Sequence, residues 1–299
     1  MNRFGRILVW TAGAIGVLSA SVYMAAIQNM NRERRARHYL GDRLYTEECG
    51  SGDPIVFLTG LQGSTRYWAD DFDSLASSHR LIFVDELGFG RSPWPADSEF
   101  TLDDQLGALR RTLVGLGATR DVTFVAHSFG TVLAAYYAAR FPLEVKRLVL
   151  LGAPVFDSEA EARWRIRGMG ALAAVFTFNR PLALVSCTLM CAFRPLLQRV
   201  LPRLAPDRRP EVVADSVLHD LGSVDGSVEI LLHHPIRQPI LALGSRVTFI
   251  HGDRDNVTAL TKVQALARSS GARLVPVESD HSNYTSRARK VIVEEVIRK

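Results

Sequence analysis

Strand-like runs of five or six residues, most of them apolar, recur along the chain, and amphipathic or polar stretches separate them. The runs are rich in β-branched and aromatic residues, which is typical of strands buried on both faces of a sheet. They cover residues 43–48, 55–59, 81–85, 122–126, 146–151, 246–251 and 273–277. The stretches predicted as helices are 64–78, 101–116, 129–140 and 286–298.

This alternation of strands and helices predicts βαβ units, and therefore an α/β fold whose mostly parallel sheet has helices on both faces. A chain of 299 residues is long enough for one such core, assigned to 43–155 and 244–299, and an insertion at 156–243. The insertion is predicted to be helical throughout, with prolines that divide it at positions 181, 195, 202, 206 and 210.

The N-terminus carries an uncharged stretch from Ile7 to Asn31, and its 21 residues at 7–27 are enough to cross a bilayer as a helix. A signal peptide, cleaved among the small residues 19–21 before export, is the alternative interpretation. Four arginines between residues 32 and 37 favour an uncleaved segment, because such a basic flank resists translocation. We therefore interpret 1–30 as a single-helix membrane anchor of open orientation and 31–42 as a polar tether.

The insertion combines apolar segments with an excess of positive charge. Segments 168–179 and 181–193 contain no charged residue, and both are too short to span a bilayer. Between residues 163 and 209, nine arginines accompany a single acid, Asp207. The segments are interpreted either as buried helices or as an apolar surface that docks on lipid, with the arginines near anionic headgroups.

Ser128 is the first candidate for chemistry. The pentapeptide Ala126-His127-Ser128-Phe129-Gly130 directly follows the apolar run 122–125 and directly precedes the helix-like stretch 131–140. A serine at a sharp strand-to-helix turn exposes its hydroxyl as a nucleophile, and the helix dipole stabilises negative charge beside it. The alternative interpretation is a serine that caps the helix.

Two further candidates lie on loops after later strands. Asp253 and Asp255 follow the strand at 246–251, and His281 follows the strand at 273–277. The order Ser128, Asp255, His281 is that of one sheet-based class of serine hydrolases. In such a triad, imidazole takes the serine proton and the carboxylate orients the imidazole.

A glycine-containing turn, Thr59-Gly60-Leu61, follows the apolar run 54–58. It is predicted to supply one of the two backbone N–H donors to an oxyanion. The backbone N–H groups of Leu61 and Phe129 would together bind the oxyanion of a tetrahedral intermediate.

On these residues the chain resembles the α/β-hydrolase superfamily, in particular its cap-bearing members such as esterases, lipases and epoxide-hydrolase-like proteins. Leu81–Ser92 resembles the family's Asp-x-x-Gly-x-Gly-x-Ser turn after a strand, and Trp68 also fits. The resemblance covers about 55–155 and resumes at about 247. It implies an α/β-hydrolase fold in which the insertion forms a helical cap over the active site.

The family pattern Gly-x-x-Asp favours Asp255 as the acid, although some relatives carry the acid near the position of Asp157. Thr59 and Ala126 depart from the family, which usually has histidine and glycine there. Epoxide hydrolases and haloalkane dehalogenases of this superfamily use aspartate in place of Ser128, so the resemblance excludes those two activities.

The predicted function is hydrolysis of carboxylic esters of hydrophobic acyl substrates through an acyl-Ser128 intermediate. Acyl transfer, perhydrolysis or thioester hydrolysis on the same triad are alternatives, and an inactive membrane scaffold is a third possibility. No cofactor, metal ion or nucleic acid is expected. The adjacent His233 and His234 have no Cys or carboxylate at ligand spacing to complete a metal site. The basic residues behind the net charge of +5 cluster beside apolar segments and lack the interleaved aromatic residues typical of nucleic-acid binding. The expected partners are a lipid or small-molecule ester and a membrane.

Overall fold

The computed structural model describes residues 3–68, 72–168, 179–281 and 286–298. Its strands are β1 (Thr46–Gly50), β2 (Asp53–Leu58), β3 (His79–Val84), β4 (Val122–His127), β5 (Val145–Leu151), β6 (Val247–Gly252) and β7 (Arg273–Val277). They form one sheet in the order β1-β3-β2-β4-β5-β6-β7. β1 is antiparallel to β3, and the other neighbouring pairs of these strands are parallel. The predicted mostly parallel α/β sheet is therefore confirmed.

Helices precede the first strand, cover the sheet and form an insertion between two of its strands. The α-helices of the described residues are α1 (Arg3–Arg37), α2 (Asp73–Ala76), α3 (Leu102–Gly115), α4 (Phe129–Arg140), α5 (Glu159–Gly168), α6 (Arg180–Leu204), α7 (Pro210–Asp215), α8 (Leu221–His233), α9 (Arg237–Leu243), α10 (Leu260–Ser270) and α11 (Ser286–Ile297). The run from α5 to α9 lies within the predicted insertion, between β5 and β6.

The hydrophobic core lies on both faces of the sheet, as β2 illustrates. Ile55 and Phe57 belong to a buried cluster with Trp68 and residues of α11. Val56 and Leu58 point the other way, into a cluster with residues of α3, α4, α9 and α10. Because both faces are covered, successive strand positions are apolar, which is why the strands appear in the sequence as continuous runs.

One predicted helix, at 64–78, is wrong. A single turn of 3-10 helix over Thr65–Tyr67 and the short helix α2 occupy that region, and residues 69–71 lie outside the described part. The backbone N–H of Thr65 donates to Asp85 Oδ1 at 2.5 Å, and Trp68 is fully buried. Asp85 lies 20 residues further along the chain and Trp68 packs in the cluster of Ile55 and Phe57, so both contacts of this segment are long-range.

The N-terminal helix α1 packs against α6 and continues through 31–37, the segment assigned above to a tether. Asn29 Nδ2 donates to the carbonyl of Cys191 at 3.0 Å, and Arg34 forms an ion pair with Asp220 at 2.9 Å. The C-terminal half of α1 is thus joined by polar contacts to the inserted helices.

Within the described part of the chain, α6 alone has an apolar stretch, Pro181–Leu204, long enough by length and composition to cross a membrane. From the sequence, Arg194 ends an uncharged segment of 13 residues, yet the helix continues past it. Arg194 is itself buried, and its Nη2 donates to the carbonyl of His219 at 2.9 Å. The side chains of residues 1–15 lie outside the described part, so the N-terminal anchor gains no support here and stays a prediction.

Candidate active site

Ser128 stands alone between the last residue of β4 and the first residue of α4. Its backbone has φ 48° and ψ −116°, a conformation that side-chain-bearing residues rarely adopt and that costs about 1–3 kcal/mol. Its N–H donates to the carbonyl of Leu151 on β5 at 2.9 Å, which ties the turn to the sheet. The hydroxyl makes no capping hydrogen bond to α4, so the helix-cap interpretation is wrong.

Small residues permit this turn to pack closely against the loop after β2. The N–H of Gly130 donates to the carbonyl of Thr59 at 2.8 Å. A Cβ at position 130 would lie 2.5 Å from that same oxygen, so a glycine is required there. Ala126, where the family usually has glycine, is fully buried in β4 and keeps the register with Leu58 of β2.

The three predicted residues converge at the carboxyl edge of the sheet. The Ser128 hydroxyl lies 2.9 Å from His281 Nε2, and His281 Nδ1 lies 2.9 Å from Asp255 Oδ2. His281 and Asp255 are both buried. The geometry allows the hydroxyl to donate to Nε2 while Nδ1–H donates to the carboxylate, which is the arrangement that proton transfer from serine requires.

The two oxygens of Asp255 have separate partners. Oδ1 accepts backbone N–H groups from Val257 at 2.8 Å and Thr258 at 2.9 Å, which leaves Oδ2 for His281. Burial acts to raise the pKa of Asp255, but the hydrogen bond from His281 and the neighbouring donors outweigh it and lower that pKa. The group is therefore a carboxylate at neutral pH.

Neither alternative acid contacts His281. Asp253 accepts the N–H of Ser279 at 3.2 Å and so connects the loops after β6 and β7. Asp157 lies on the exposed side of the insertion and pairs with Lys262 at 2.5 Å. The structure therefore brings Asp255, and neither of the other two candidates, to the imidazole.

His127 has a role that the sequence did not reveal. Its Nε2 lies 2.8 Å from the carbonyl of His281, so the Nε2–H tautomer donates to the backbone of that residue. Burial lowers the pKa of His127 to about 3, so the ring is neutral. Tyr67 stacks on it with ring centroids 5.0 Å apart. The position directly before Ser128 was the available signal, but its partner lies 154 residues away.

Glu86 and Thr59 form a second contact that the sequence did not indicate. Glu86 is buried, and its two carboxyl oxygens contact the Thr59 N–H at 2.5 Å and Oγ1 at 2.8 Å. Burial raises the pKa of Glu86 to about 8. Thr59, the position where the family usually has histidine, is thus held by a carboxyl group from the turn after β3.

The predicted oxyanion donors flank the nucleophile. Gly60 approaches Ser128 so closely that a Cβ on it would lie 3.2 Å from the serine Cβ, and Leu61 follows at once. Phe129 is the first residue of α4. No acceptor for the N–H of Leu61 or of Phe129 is found among the described residues, so both donors are available to a ligand.

A cavity of about 490 Å³ opens beside these groups, and Gly60, Leu61, Ser128 and His281 line it. In the described ranges of the chain, no group of three His, Cys, Asp or Glu side chains is placed to hold a metal ion. The absence of a metal or cofactor stays a prediction.

A family model of the alpha/beta hydrolase fold matches residues 53–287. The chain belongs to the alpha/beta hydrolase family. This result confirms the resemblance drawn from the Ser128 turn and the Leu81–Ser92 segment.

Similar proteins carry several different names. The chain is 27% identical to 2-hydroxymuconate semialdehyde hydrolase of Pseudomonas sp. strain CF600 over 82% of its own length and 87% of that protein. It is 33% identical to cis-3-alkyl-4-alkyloxetan-2-one decarboxylase of Shewanella oneidensis over 40% of its length, but this spans only 39% of that relative. The match to probable lysophospholipase BODYGUARD 2 of Arabidopsis thaliana is 36% identical and covers 35% of the chain and 23% of the relative.

Solved structures agree with the fold. A hydrolase from Pseudomonas aeruginosa PA01 superposes with a TM-score of 0.65 at 20% identity, over 86% of this chain and 94% of that one. The enol-lactonase of Burkholderia xenovorans LB400 gives 0.65 at 19% identity, over 85% and 96%. At such low identity these likenesses establish the architecture alone.

Proposed function

We propose that the protein is a serine hydrolase that cleaves carboxylic esters of hydrophobic acyl substrates. The observation that carries this proposal is the continuous chain of two 2.9 Å contacts from Ser128 through His281 to Asp255. A nucleophile, a base within hydrogen-bond reach and a group that orients the base are the components of covalent acyl transfer.

In the proposed reaction, Ser128 Oγ attacks the ester carbonyl while His281 Nε2 takes its proton. The resulting oxyanion accepts the N–H groups of Leu61 and Phe129, and the imidazolium is stabilised by the Asp255 carboxylate. The imidazolium then gives its proton to the departing alcohol, which leaves an acyl-Ser128 ester. Water attacks that ester with His281 again as base, which releases the carboxylic acid and restores the hydroxyl.

The name of one relative supports an acyl-type substrate, because a lysophospholipase is named for the cleavage of an ester bond. Acyl transfer, perhydrolysis and thioester hydrolysis begin with the same attack by Ser128 and differ in the acceptor or leaving group. They are separated from ester hydrolysis by measuring which acceptor receives the acyl group.

Labelling with a fluorophosphonate tests the proposal. The wild-type protein should form a covalent adduct, Ser128→Ala should form none, and Ser216→Ala should label normally because Ser216 lines the same cavity outside the triad. Absent labelling of the wild type, or equal labelling of Ser128→Ala, would exclude the proposed nucleophile. A series of p-nitrophenyl esters then defines the chain length, and a preference confined to acetyl or butyryl esters would contradict a hydrophobic acyl substrate.

We also propose that α1 and α6 bring the enzyme to a membrane. Support comes from large apolar side chains that are at least half exposed on both helices, including Val17 and Leu18 on α1 and Leu184 and Val185 on α6. Large exposed apolar patches of this kind are typical of lipid or protein contact sites. The predicted anchor at 1–30 belongs to the same proposal, and export after signal cleavage is its alternative.

A further inference from the structure

The cavity beside Ser128 has an uneven distribution of charge. Three arginines line it: Arg208 and Arg209 in the loop between α6 and α7, and Arg289 on α11. Asp207 is the sole carboxylate among the described lining residues. Positive charge therefore exceeds negative charge in the walls, and it comes from two separate parts of the chain.

The other titratable lining groups do not alter this balance. Burial lowers the pKa of His127 to about 3, so that ring is uncharged at neutral pH. Burial raises the pKa of the Tyr67 hydroxyl, so it stays protonated. Three further acids lie near the cavity but are not among its lining residues: Asp215 and Asp255, which accept hydrogen bonds from Ser64 and His281, and Asp280, whose charge acts on Tyr67.

The arginines lie close to the reacting groups. Burial and the charge of Asp280 raise the pKa of Tyr67, and Arg208 and Arg209 act against that rise, so all three charges lie within electrostatic range of the ring. Tyr67 stacks on His127, whose neighbour in the chain is Ser128. The positive wall and the nucleophile thus belong to one compartment.

Apolar side chains complete the same cavity. Leu61, Ala205, Val212 and Val213 line it together with the arginines. A ligand that matches both features has a hydrocarbon part and a negatively charged group. Guanidinium binds carboxylates and phosphates through paired hydrogen bonds, so both anions fit this wall.

We infer that this cavity selects esters that carry an anionic group, a carboxylate or a phosphate, bound by Arg208, Arg209 and Arg289 while the ester carbonyl meets Ser128. The inference rests on the proposed function and narrows its substrate class. An uncharged fatty acyl ester would match the apolar walls but bring no anionic group to the three arginines.

Two matched substrate pairs test the inference and separate the sources of the anion. In the first pair, mono-p-nitrophenyl glutarate carries a carboxylate at the end of its acyl chain and p-nitrophenyl pentanoate does not. In the second pair, oleoyl glycerophosphate carries a phosphate on its alcohol part and monooleoylglycerol does not. Wild-type protein should prefer the anionic member of at least one pair by tenfold or more in kcat/KM, and the preference should shrink as salt is added because salt screens charge.

A double variant combines Arg209→Gln with Arg289→Gln, both in the cavity lining. Its control is Arg268→Gln, at an exposed position of α10. The double variant should lose the preference for the anion and keep its activity on the uncharged ester and its fluorophosphonate labelling. Arg268→Gln should retain the preference. Equal kcat/KM for both members of both pairs, or a preference that survives in the double variant, would overturn the inference and leave the serine hydrolase intact.

A binding measurement covers the case in which no ester is turned over, which would instead remove the proposed function. Glutarate and inorganic phosphate are titrated calorimetrically into Ser128→Ala with and without the two arginine substitutions. Binding of either anion that the substitutions abolish supports the anionic site. Absence of binding, or binding that the substitutions leave unchanged, overturns it.

Discussion

The carboxyl edge of the sheet and the helix pair α1 and α6 place their side chains in opposite ways. At the edge, Asp255 and His281 are buried, and the carboxylate oxygens of Asp255 and the ring nitrogens of His281 each have a partner within 2.9 Å. On α6, Leu184 and Val185 are apolar yet 54% and 53% exposed. The side chains of Asp255 and His281 find their partners within the chain, whereas α6 leaves large apolar side chains exposed.

This contrast distinguishes the buried residues, which stabilise the protein, from the exposed apolar residues, which we propose contact a membrane. Buried apolar and polar contacts hold the sheet and the triad, so changes there affect folding and chemistry. Exposed apolar side chains contribute little to stability, so changes there should affect association alone.

The largest expected effect is on the triad. Asp255→Asn should lower kcat by about 10⁴-fold, because the amide favours the wrong imidazole tautomer and cannot stabilise the imidazolium. Asp253→Asn is the matched control two residues away and should stay close to wild type, since its acceptor oxygen for Ser279 is retained. Ester hydrolysis by the two purified variants checks this, and equal losses would show that the loop as a whole is responsible.

The next effect concerns packing. Phe249 in β6 is fully buried, so Phe249→Ala should lower the free energy of unfolding by about 3–5 kcal/mol through the cavity it leaves. Leu184→Ala on α6 should change it by less than about 0.5 kcal/mol. Urea unfolding measures both. A comparable loss in Leu184→Ala would mean that α6 is covered in solution, and the contrast between the two regions would fail.

Glu86 should give a smaller effect on activity. Glu86→Leu removes the contacts to Thr59 and frees the loop that carries Leu61, which should lower kcat/KM by up to about 10²-fold. Glu86→Gln should remain active, because its amide can accept from the Thr59 N–H and donate to Thr59 Oγ1. Equal activity of Glu86→Leu and Glu86→Gln would show that this contact does not position the loop.

The same residue predicts a dependence of stability on pH. Burial raises the pKa of Glu86 from 4.5 to about 8, so between these values the folded protein holds a proton that the unfolded chain releases. Folding stability contributed by this group therefore falls as pH rises through that window. Glu86→Gln should show a shallower fall in urea unfolding between about pH 5 and 8 than the wild type. Identical slopes would assign the dependence to other groups, such as the buried Asp85.

The smallest effect on the enzyme itself is expected from the exposed face of α6. Leu184→Ser combined with Leu189→Ser should leave the hydrolysis of a soluble ester unchanged and weaken flotation with vesicles of mixed anionic and zwitterionic lipid. Val114→Ser, an equally exposed apolar position on α3, should leave flotation unchanged. Unaltered flotation of the α6 variant would remove α6 from the proposed membrane contact.

Local pattern was sufficient for much of this molecule. The strands are visible in the sequence because covering both faces of a sheet demands uninterrupted apolar residues, as in β2 and β4. The turn at Ser128 is equally visible, since a nucleophile between a strand and a helix needs small neighbours such as Gly130. The helix predicted at 64–78 was wrong, and the contacts of that segment with Asp85 and with the core around Phe57 are long-range contacts that a local pattern does not record.

The sequence alone determined the α/β architecture, the family and the order of three chemically competent residues, because those properties are written in short periodic runs and local turns. Only the tertiary structure decided which aspartate meets His281, that His127 holds its backbone, and that Glu86 holds Thr59. It also decided that the cavity has an arginine wall and that α6 exposes its apolar face. The physical reason is that these contacts join residues that lie tens to hundreds of positions apart. Tertiary packing brings them together, and the local sequence around each residue does not indicate its partner.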